Sequence, residues 1–314
     1  MGAKTYLVTG GCGFIGSHLV EALRARGDRV RVLDDLSSGR RENLPADAPL
    51  VVGDVRDAGA VAATLADADG CFHLAAIASV QRGNEDWAGT HAVNLTGAIQ
   101  VLDAARRVRG GRPVPVVYAS SAAVYGDNQD MPLAESAATR PLSAYGADKL
   151  GCELHARVGA LVHGVPTVGL RFFNVFGPRQ DPKSPYSGVI SIFAGRLARG
   201  DGLTVFGDGR QERDFIHVDD VVRALLAAMA RADARAPEVF NICTGKSTTI
   251  LELAGLMREL AGRQARIEHA PPRAGDIRIS LGDPRKAEAK LGFRAAIGLR
   301  EGLETTLRWL TKGA

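Results

Sequence analysis

The chain has few cysteines. Its 314 residues include only Cys12, Cys71, Cys152 and Cys243. They form no CxxC pair and lie at no zinc-ligand spacing from a histidine. They read as reduced, buried thiols of a cytoplasmic protein. No run of about 18 apolar residues occurs, so no transmembrane helix is expected. The N-terminus carries one lysine and then enters an apolar strand, so no signal peptide is expected. Charge of one sign is also scarce: 39 Lys and Arg against 35 Asp and Glu give +4, spread along the chain. That balance advertises no field for nucleic acid. There is no internal repeat and no low-complexity tract. The 46% hydrophobic content is ordinary for a globular chain, and the length suits one large or two small domains. Glycine is plentiful, at 37 residues against 14 prolines.

Short apolar runs alternate with amphipathic stretches. Positions 4–9, 29–33, 50–52, 70–74, 115–119, 167–171 and 239–243 read as strands. Positions 17–26, 58–68, 94–107, 145–163, 190–199, 218–232, 250–261 and 284–291 read as helices, and 200–208 as a turn with a short strand. This alternation predicts an α/β fold, a Rossmann-type doubly wound parallel sheet. After Arg171 the regularity breaks, and 174–188 is rich in Pro, Gly, Asp and Ser. A smaller, partly inserted C-terminal α/β portion is therefore expected. The division predicted is 1–173 plus 214–243 for a dinucleotide-binding body and 174–213 plus 244–314 for a substrate portion.

Gly10, Gly13 and Gly16 form a GxxGxxG loop between the first strand and the first helix. Free N–H groups and the helix dipole at that point favour a pyrophosphate. Asp34 follows Gly16 at the end of the second strand. Its carboxylate can accept from both ribose hydroxyls of NAD and would repel a 2′-phosphate. Asp54 and Val55, after the third strand, could bracket the adenine, with Asp54 alternatively a helix cap. Ser121 ends the fifth strand, where such folds place ligands. Tyr145 and Lys149 stand at i and i+4 and share a helix face. A cation beside a phenol favours the phenolate, which makes Tyr145 a usable general base.

With these residues in place, the sequence resembles the extended short-chain dehydrogenase/reductase family, in its NAD-dependent nucleotide-sugar epimerase branch. The likeness covers nearly the whole chain. It rests on the 9–18 and 34–39 stretches, His73-Leu74-Ala75-Ala76, Ser79-Val80-Gln81, Asn94, the Ser121 stretch and Tyr145/Lys149. It continues through Arg171-Phe172-Phe173-Asn174-Val175-Phe176-Gly177-Pro178-Arg179, the 213–220 stretch and Arg273-Ala274-Gly275-Asp276. The resemblance implies NAD contacts from Phe14, Ile15, Asp35, Ser38, Gly39, Leu74, Ala75, Ala76, Asn94, Lys149 and Phe172. It implies that Tyr145 takes the sugar 4-OH proton, that Lys149 holds the nicotinamide ribose, and that Ser121 hydrogen-bonds the reacting oxygen. Substrate contacts are implied for Ser79, Ala122, Asn174, Val189, Arg213, Arg273 and Asp276. Guanidinium forks suit the diphosphate of a UDP-sugar. His217 is expected to pack rather than react.

The implied reaction is 4-epimerisation of a UDP-hexose through a transient 4-keto sugar. Sugar dehydratases of the same superfamily place Asp and Glu directly after the residue matching Ser121. Here those positions are Ala122 and Ala123, which transfer no protons. Uronate-acting relatives remain an alternative, although Asn174 resembles the neutral-hexose pattern. A non-enzymic NAD-binding regulator is a further alternative, with no reason to keep Ser121, Tyr145 and Lys149 together. Ser280, at a pocket-sizing position bulky in some relatives, implies room for an N-acetyl group, hence UDP-GlcNAc/UDP-GalNAc as well as UDP-glucose/UDP-galactose. The helices over 94–107 and 145–163 resemble a pair that forms a homodimer interface. No metal, nucleic-acid or membrane partner is implied.

Overall fold

Apolar runs bounded by Gly, Asp or Pro become the strands. In chain order these are β1 (Thr5–Thr9), β2 (Arg29–Asp34), β3 (Leu50–Val52), β4 (Gly70–His73), β5 (Val116–Ser121), β6 (Thr167–Phe172), β7 (Asn174–Phe176), β8 (Leu203–Phe206), β9 (Glu212–His217), β10 (Glu238–Ile242), β11 (Ser247–Thr249), β12 (Ile267–Ala270) and β13 (Ile279–Ser280). The computed structural model describes residues 2–182, 188–273 and 276–312. Ala274 and Gly275 of the Arg273–Asp276 motif lie outside the described residues.

Seven strands form one sheet in the order β10-β6-β5-β4-β1-β2-β3, every neighbouring pair parallel. Side chains alternate between its two faces. Tyr6, Val8, Phe72 and Val117 pack under helices Phe14–Ala25 and Val218–Arg231. Leu7, Cys71, Val116 and Tyr118 pack under helices Ala58–Leu65, Gly97–Ala105 and Ala144–His163. Both faces are thus covered, as a parallel sheet requires. This is the doubly wound α/β arrangement expected. The chain leaves β1 toward β2 and β3, then returns to the other side of β1 as β4. The carboxyl ends of β1 and β4 therefore flank the topological switch point, where such sheets bind ligands.

Local signals set the long helix over 144–163. The Ser143 hydroxyl accepts from Gly146 N at its start, and Gly164, at φ +71°, ends it in the left-handed region. The helix expected over 94–107 forms differently. Ala92–Thr96 is a π-helical turn, and the α-helix proper is Gly97–Ala105. The fully buried Asn94 side chain explains the detour. Its Oδ1 accepts from Ile77 N at 2.8 Å and its Nδ2 donates to Ile77 O at 3.1 Å.

The remaining strands build the smaller portion. β9 pairs with β11, β13 and β7, and β8 pairs with β12. Helices Val189–Arg199, Ile250–Leu260 and Leu299–Lys312 close over them on a separate core that includes Phe176, Phe193, Phe215, Met257 and Leu303. Helix Arg285–Leu291 packs instead on β10 and the 218–231 helix. Helix Leu299–Lys312 and strands β7, β9, β11, β12 and β13 were not expected from the sequence. No helix among the described residues is long and apolar enough to cross a membrane.

Candidate active site

The glycine loop lies at the switch point. Gly10 has φ +68°, and a Cβ there would come within 2.7 Å of Ala75 N. Only glycine lets the end of β1 press against the end of β4. Gly13 is the N-cap of helix Phe14–Ala25, with no side-chain cap bond and no acidic residue in the first turn. The helix N-terminus, with Phe14 and Ile15, is thus free to face an anion. Asp34 sits beside the loop, almost fully buried. Its Oδ2 accepts from Cys12 N and its Oδ1 from Leu36 N, each at 2.9 Å. Burial pushes its carboxyl up, and the two amide bonds pull it back only in part. Gly39 packs on Cys12 and the Asp34 carboxylate. An acid fixed here beside a bare helix N-terminus fits the ribose and pyrophosphate of NAD.

The other residues expected to touch the cofactor take varied places, some at the loop and some in the core. Leu74 N and Ala75 N donate to Thr9 Oγ1 at 3.2 Å, and Asn94 braces Ile77 just beyond Ala76. Asp35 accepts from Ser37 in an exposed turn that also holds Ser38. The Asp54 carboxylate is held by the Arg56 guanidinium, while Val55 is buried under Gly97. The Phe172 ring packs in the core beneath the 218–231 helix.

Sequence reasoning passed over His73 as a site residue. Thr9 Oγ1 lies within hydrogen-bond distance of His73 Nδ1, at 2.8 Å. The ring's Nε2 has no partner among the described residues. Burial, with Lys149 adding to it, pushes this imidazole down to about 3. A folded-state value below the unfolded one of about 6.5 means that acid favours unfolding. This contribution is complete above about pH 6.5 and is lost toward pH 3, at about 1.4 kcal/mol per unit. Urea unfolding at about pH 7.5 and about pH 5.5 should show His73→Gln losing about 1 kcal/mol less than wild type between the two. Equal losses would refute the account.

The residues read as catalytic lie at the end of β5 and on the helix start packed against it. Ser121 ends β5, and its Oγ accepts from Ala123 N at 3.1 Å. Tyr145 lies in the first turn of the 144–163 helix. Lys149 is buried one turn on, its Nζ 5.8 Å from the Tyr145 ring centroid. A Cβ on Gly146 would stand 2.7 Å from Ala123 O. The helix start is therefore pressed directly onto the turn that carries Ser121, Ala122 and Ala123.

A cavity of about 350 Å³ in the smaller portion gathers Asn174, Val189, Arg213, Arg273 and Asp276 on its wall. Arg213 pairs with Asp276, and the Arg273 guanidinium stacks 3.9 Å from the Phe206 ring centroid. Arg196, Phe206 and Gln211 also line it; these were not singled out from sequence, because nothing local marks them. Ser280 is outside this wall but pairs in register with Arg213. Ser79 is also elsewhere, capping helix Val80–Glu85 through Arg82 N at 3.0 Å. His217 packs edge-on against Phe176 at 5.4 Å and caps the 218–231 helix.

Residues 6–243 match the model of the NAD dependent epimerase/dehydratase family. The chain belongs to that family. Its extended short-chain dehydrogenase/reductase character, its fold and its use of NAD follow. The chain is similar to the putative UDP-glucose 4-epimerase of Methanocaldococcus jannaschii, 36% identical over 307 residues and 97% of each chain. It superposes on the UDP-glucose 4-epimerase of Thermotoga maritima, solved with UDP-glucose, with TM-score 0.93, 38% identity, and coverage of 98% and 99%. It also superposes on the UDP-N-acetylglucosamine 4-epimerase of Methanobrevibacter ruminantium, solved with UDP-N-acetylmuramic acid, with TM-score 0.94, 35% identity and full coverage of both chains. A sugar 4,6-dehydratase and a uronate decarboxylase are further relatives, at 37% and 32% identity. The family member described here is an enzyme, an isomerase of the epimerase type.

Proposed function

We propose that this epimerase inverts C4 of a UDP-hexose, taking UDP-GlcNAc/UDP-GalNAc as well as UDP-glucose/UDP-galactose. The observation that supports the reading is the start of the Tyr145–Lys149 helix packed on the turn that follows Ser121, together with a separate cavity lined by arginines. Bound NAD supplies the hydride acceptor and donor at C4. Tyr145 takes the 4-OH proton as the 4-keto sugar forms and returns it on the other face. Ser121 holds the reacting oxygen, and buried Lys149 keeps a positive charge beside the phenol. Arg213 and Arg273 grip the diphosphate, with Asn174, Val189 and Asp276 around the rest of the nucleotide. The sugar, held through its diphosphate, turns between the two hydride transfers. Ala122 and Ala123, in the turn after Ser121, offer no acid or base to expel water, which disfavours a dehydratase.

In this reading 1–173 plus 214–243 bind the dinucleotide and 174–213 plus 244–314 the nucleotide sugar. Four buried free thiols suit a reducing cytoplasm.

The test is turnover of both sugar pairs with NMR identification of the products. Wild type should convert UDP-glucose and UDP-GlcNAc. Ser280→Tyr should lower kcat/KM for UDP-GlcNAc about 10-fold or more, and that for UDP-glucose by no more than about threefold. A wild type inert toward UDP-GlcNAc would sink the pocket-size argument.

The homodimer is part of the same proposal. Leu154, Val158, Leu161 and Val162 form an exposed stripe at helical spacing on the 144–163 helix, 48–69% accessible. A stripe of that size wants a second copy of itself. Light scattering should give twice the chain mass for wild type and the single mass for Leu161→Arg. A monomeric wild type would refute the assignment.

A further inference from the structure

Arg171 and Glu153 take no part in holding NAD or sugar in this reading, yet they are only 5% and 8% exposed. Arg171, on β6, forks onto Glu153 of the 144–163 helix, Nε to Oε1 at 2.8 Å and Nη2 to Oε2 at 2.7 Å. The same Oε1 accepts the hydroxyl of Ser120, the neighbour of Ser121. Arg171 Nη1 donates to Tyr125 Oη at 2.8 Å and to Glu135 O at 3.2 Å, and the guanidinium lies 4.7 Å from the Tyr125 ring centroid. Tyr125 in turn donates to Asn241 on β10 at 2.7 Å. One ion pair therefore holds both ends of the 120–125 segment, where Ser121 sits, and also holds the helix of Tyr145 and Lys149. Glu153 is one turn beyond Lys149 on the same helix face.

A buried ion pair is a poor way to gain stability, since apolar residues of similar volume often do as well. What it adds is direction. A guanidinium–carboxylate fork fixes two planes against each other, whereas apolar burial is non-directional. We propose that Glu153 and Arg171 are positioning residues that set the Ser121 segment in register against the Tyr145–Lys149 helix. The inference rests on the roles proposed above for those three side chains.

The test compares the charge-free pair Glu153→Leu/Arg171→Met with each single substitution and with Arg171→Lys, which keeps charge but loses the fork. Each charge-removing single variant leaves a buried charge unpaired and should melt well below wild type, and the charge-free pair should recover most of that loss. With melting recovered and NAD content unchanged, kcat of the pair should fall about 30- to 100-fold while KM stays within about threefold, because a misplacement of about 1 Å costs on the order of 100-fold. A second readout needs no sugar. Amide hydrogen exchange over 120–125 should quicken in the pair relative to wild type, because that segment loses the fork that sets its register. A pair with wild-type melting, kcat and amide exchange over 120–125 overturns the proposal. Should the pair fail to fold, Arg171→Lys decides, and an unchanged kcat overturns it. A wild type that turns over no UDP-hexose overturns the proposed function instead, while the amide exchange over 120–125 still reads the positioning role.

Discussion

Tyr145→Phe protein is expected to retain its NAD and its melting temperature while kcat falls by about three orders of magnitude. The substitution keeps the ring that stands 5.8 Å from the Lys149 ammonium and removes only the hydroxyl. Tyr145 is half-buried and its hydroxyl makes no hydrogen bond among the described residues, so stability should change little. General acid–base catalysis by a placed side chain is worth roughly 100- to 10,000-fold. Removing the base proposed for the reacting oxygen should cost near the upper end of that range. Ser121→Ala should cost less, about 10- to 100-fold, because on the same proposal it removes a hydrogen bond to that oxygen and leaves the base in place. Steady-state rates with product NMR, alongside NAD content of the purified proteins, separate the outcomes. Tyr145→Phe retaining a tenth or more of wild-type kcat would remove Tyr145 from the role of base. Activity lost together with NAD would mean that the side chain serves the cofactor site instead.

The parallel sheet was legible in the sequence because its central strands, buried on both faces, read as apolar runs, and because glycines or aspartates follow several of the strands. The glycine loop, Asp34, Ser121, Tyr145 and Lys149 were legible for the same reason, since each sits directly at the end of a readable strand or on a readable helix. In the smaller portion the helices over 190–199 and 250–261 and the short strand within 200–208 were legible, but most of its strands were not. β7, β11 and β13 are two or three residues long, too short for a period of two to register. Its wall residues Arg196, Phe206 and Gln211 come from separate elements and meet only in three dimensions. The π turn over 92–96 escaped because its cause is Asn94 reaching across to Ile77, a tertiary contact without a periodic signature. Helix Leu299–Lys312 is a different matter. Leu299, Leu303, Leu307 and Leu310 repeat at helical spacing, so the signal was present. The Glu153–Arg171 pair leaves no trace at all in the sequence pattern, because a buried charge looks locally like any solvated one.

Gly16→Ala is expected to strip the protein of NAD and to lower its stability by about 1–3 kcal/mol, the usual cost of overpacking. Gly16 lies in the first helix with ordinary helical geometry, so alanine would by propensity be the better residue. Space decides against it. A Cβ at this position would stand 2.2 Å from Gly10 O and 2.7 Å from Gly11 Cα. Both are backbone atoms that cannot swing aside, so the helix must lift from the loop by about an ångström to restore van der Waals contact. That movement turns the helix N-terminus and the loop amides away from the pyrophosphate that the proposed function assigns to them. It also loosens the loop from Ala75, since Gly10 is held against that backbone at the switch point. Gly255→Ala provides the opposite sign. Gly255 lies inside helix Ile250–Leu260 with nothing within 4 Å of its would-be Cβ, so alanine should stabilise by about 0.5–1 kcal/mol. Released NAD and urea midpoints measured on both variants test the pair of signs together. Gly16→Ala protein that purifies with a full complement of NAD and a wild-type midpoint would show that the loop can yield. The close packing of the helix against Gly10 would then have no part in holding the cofactor.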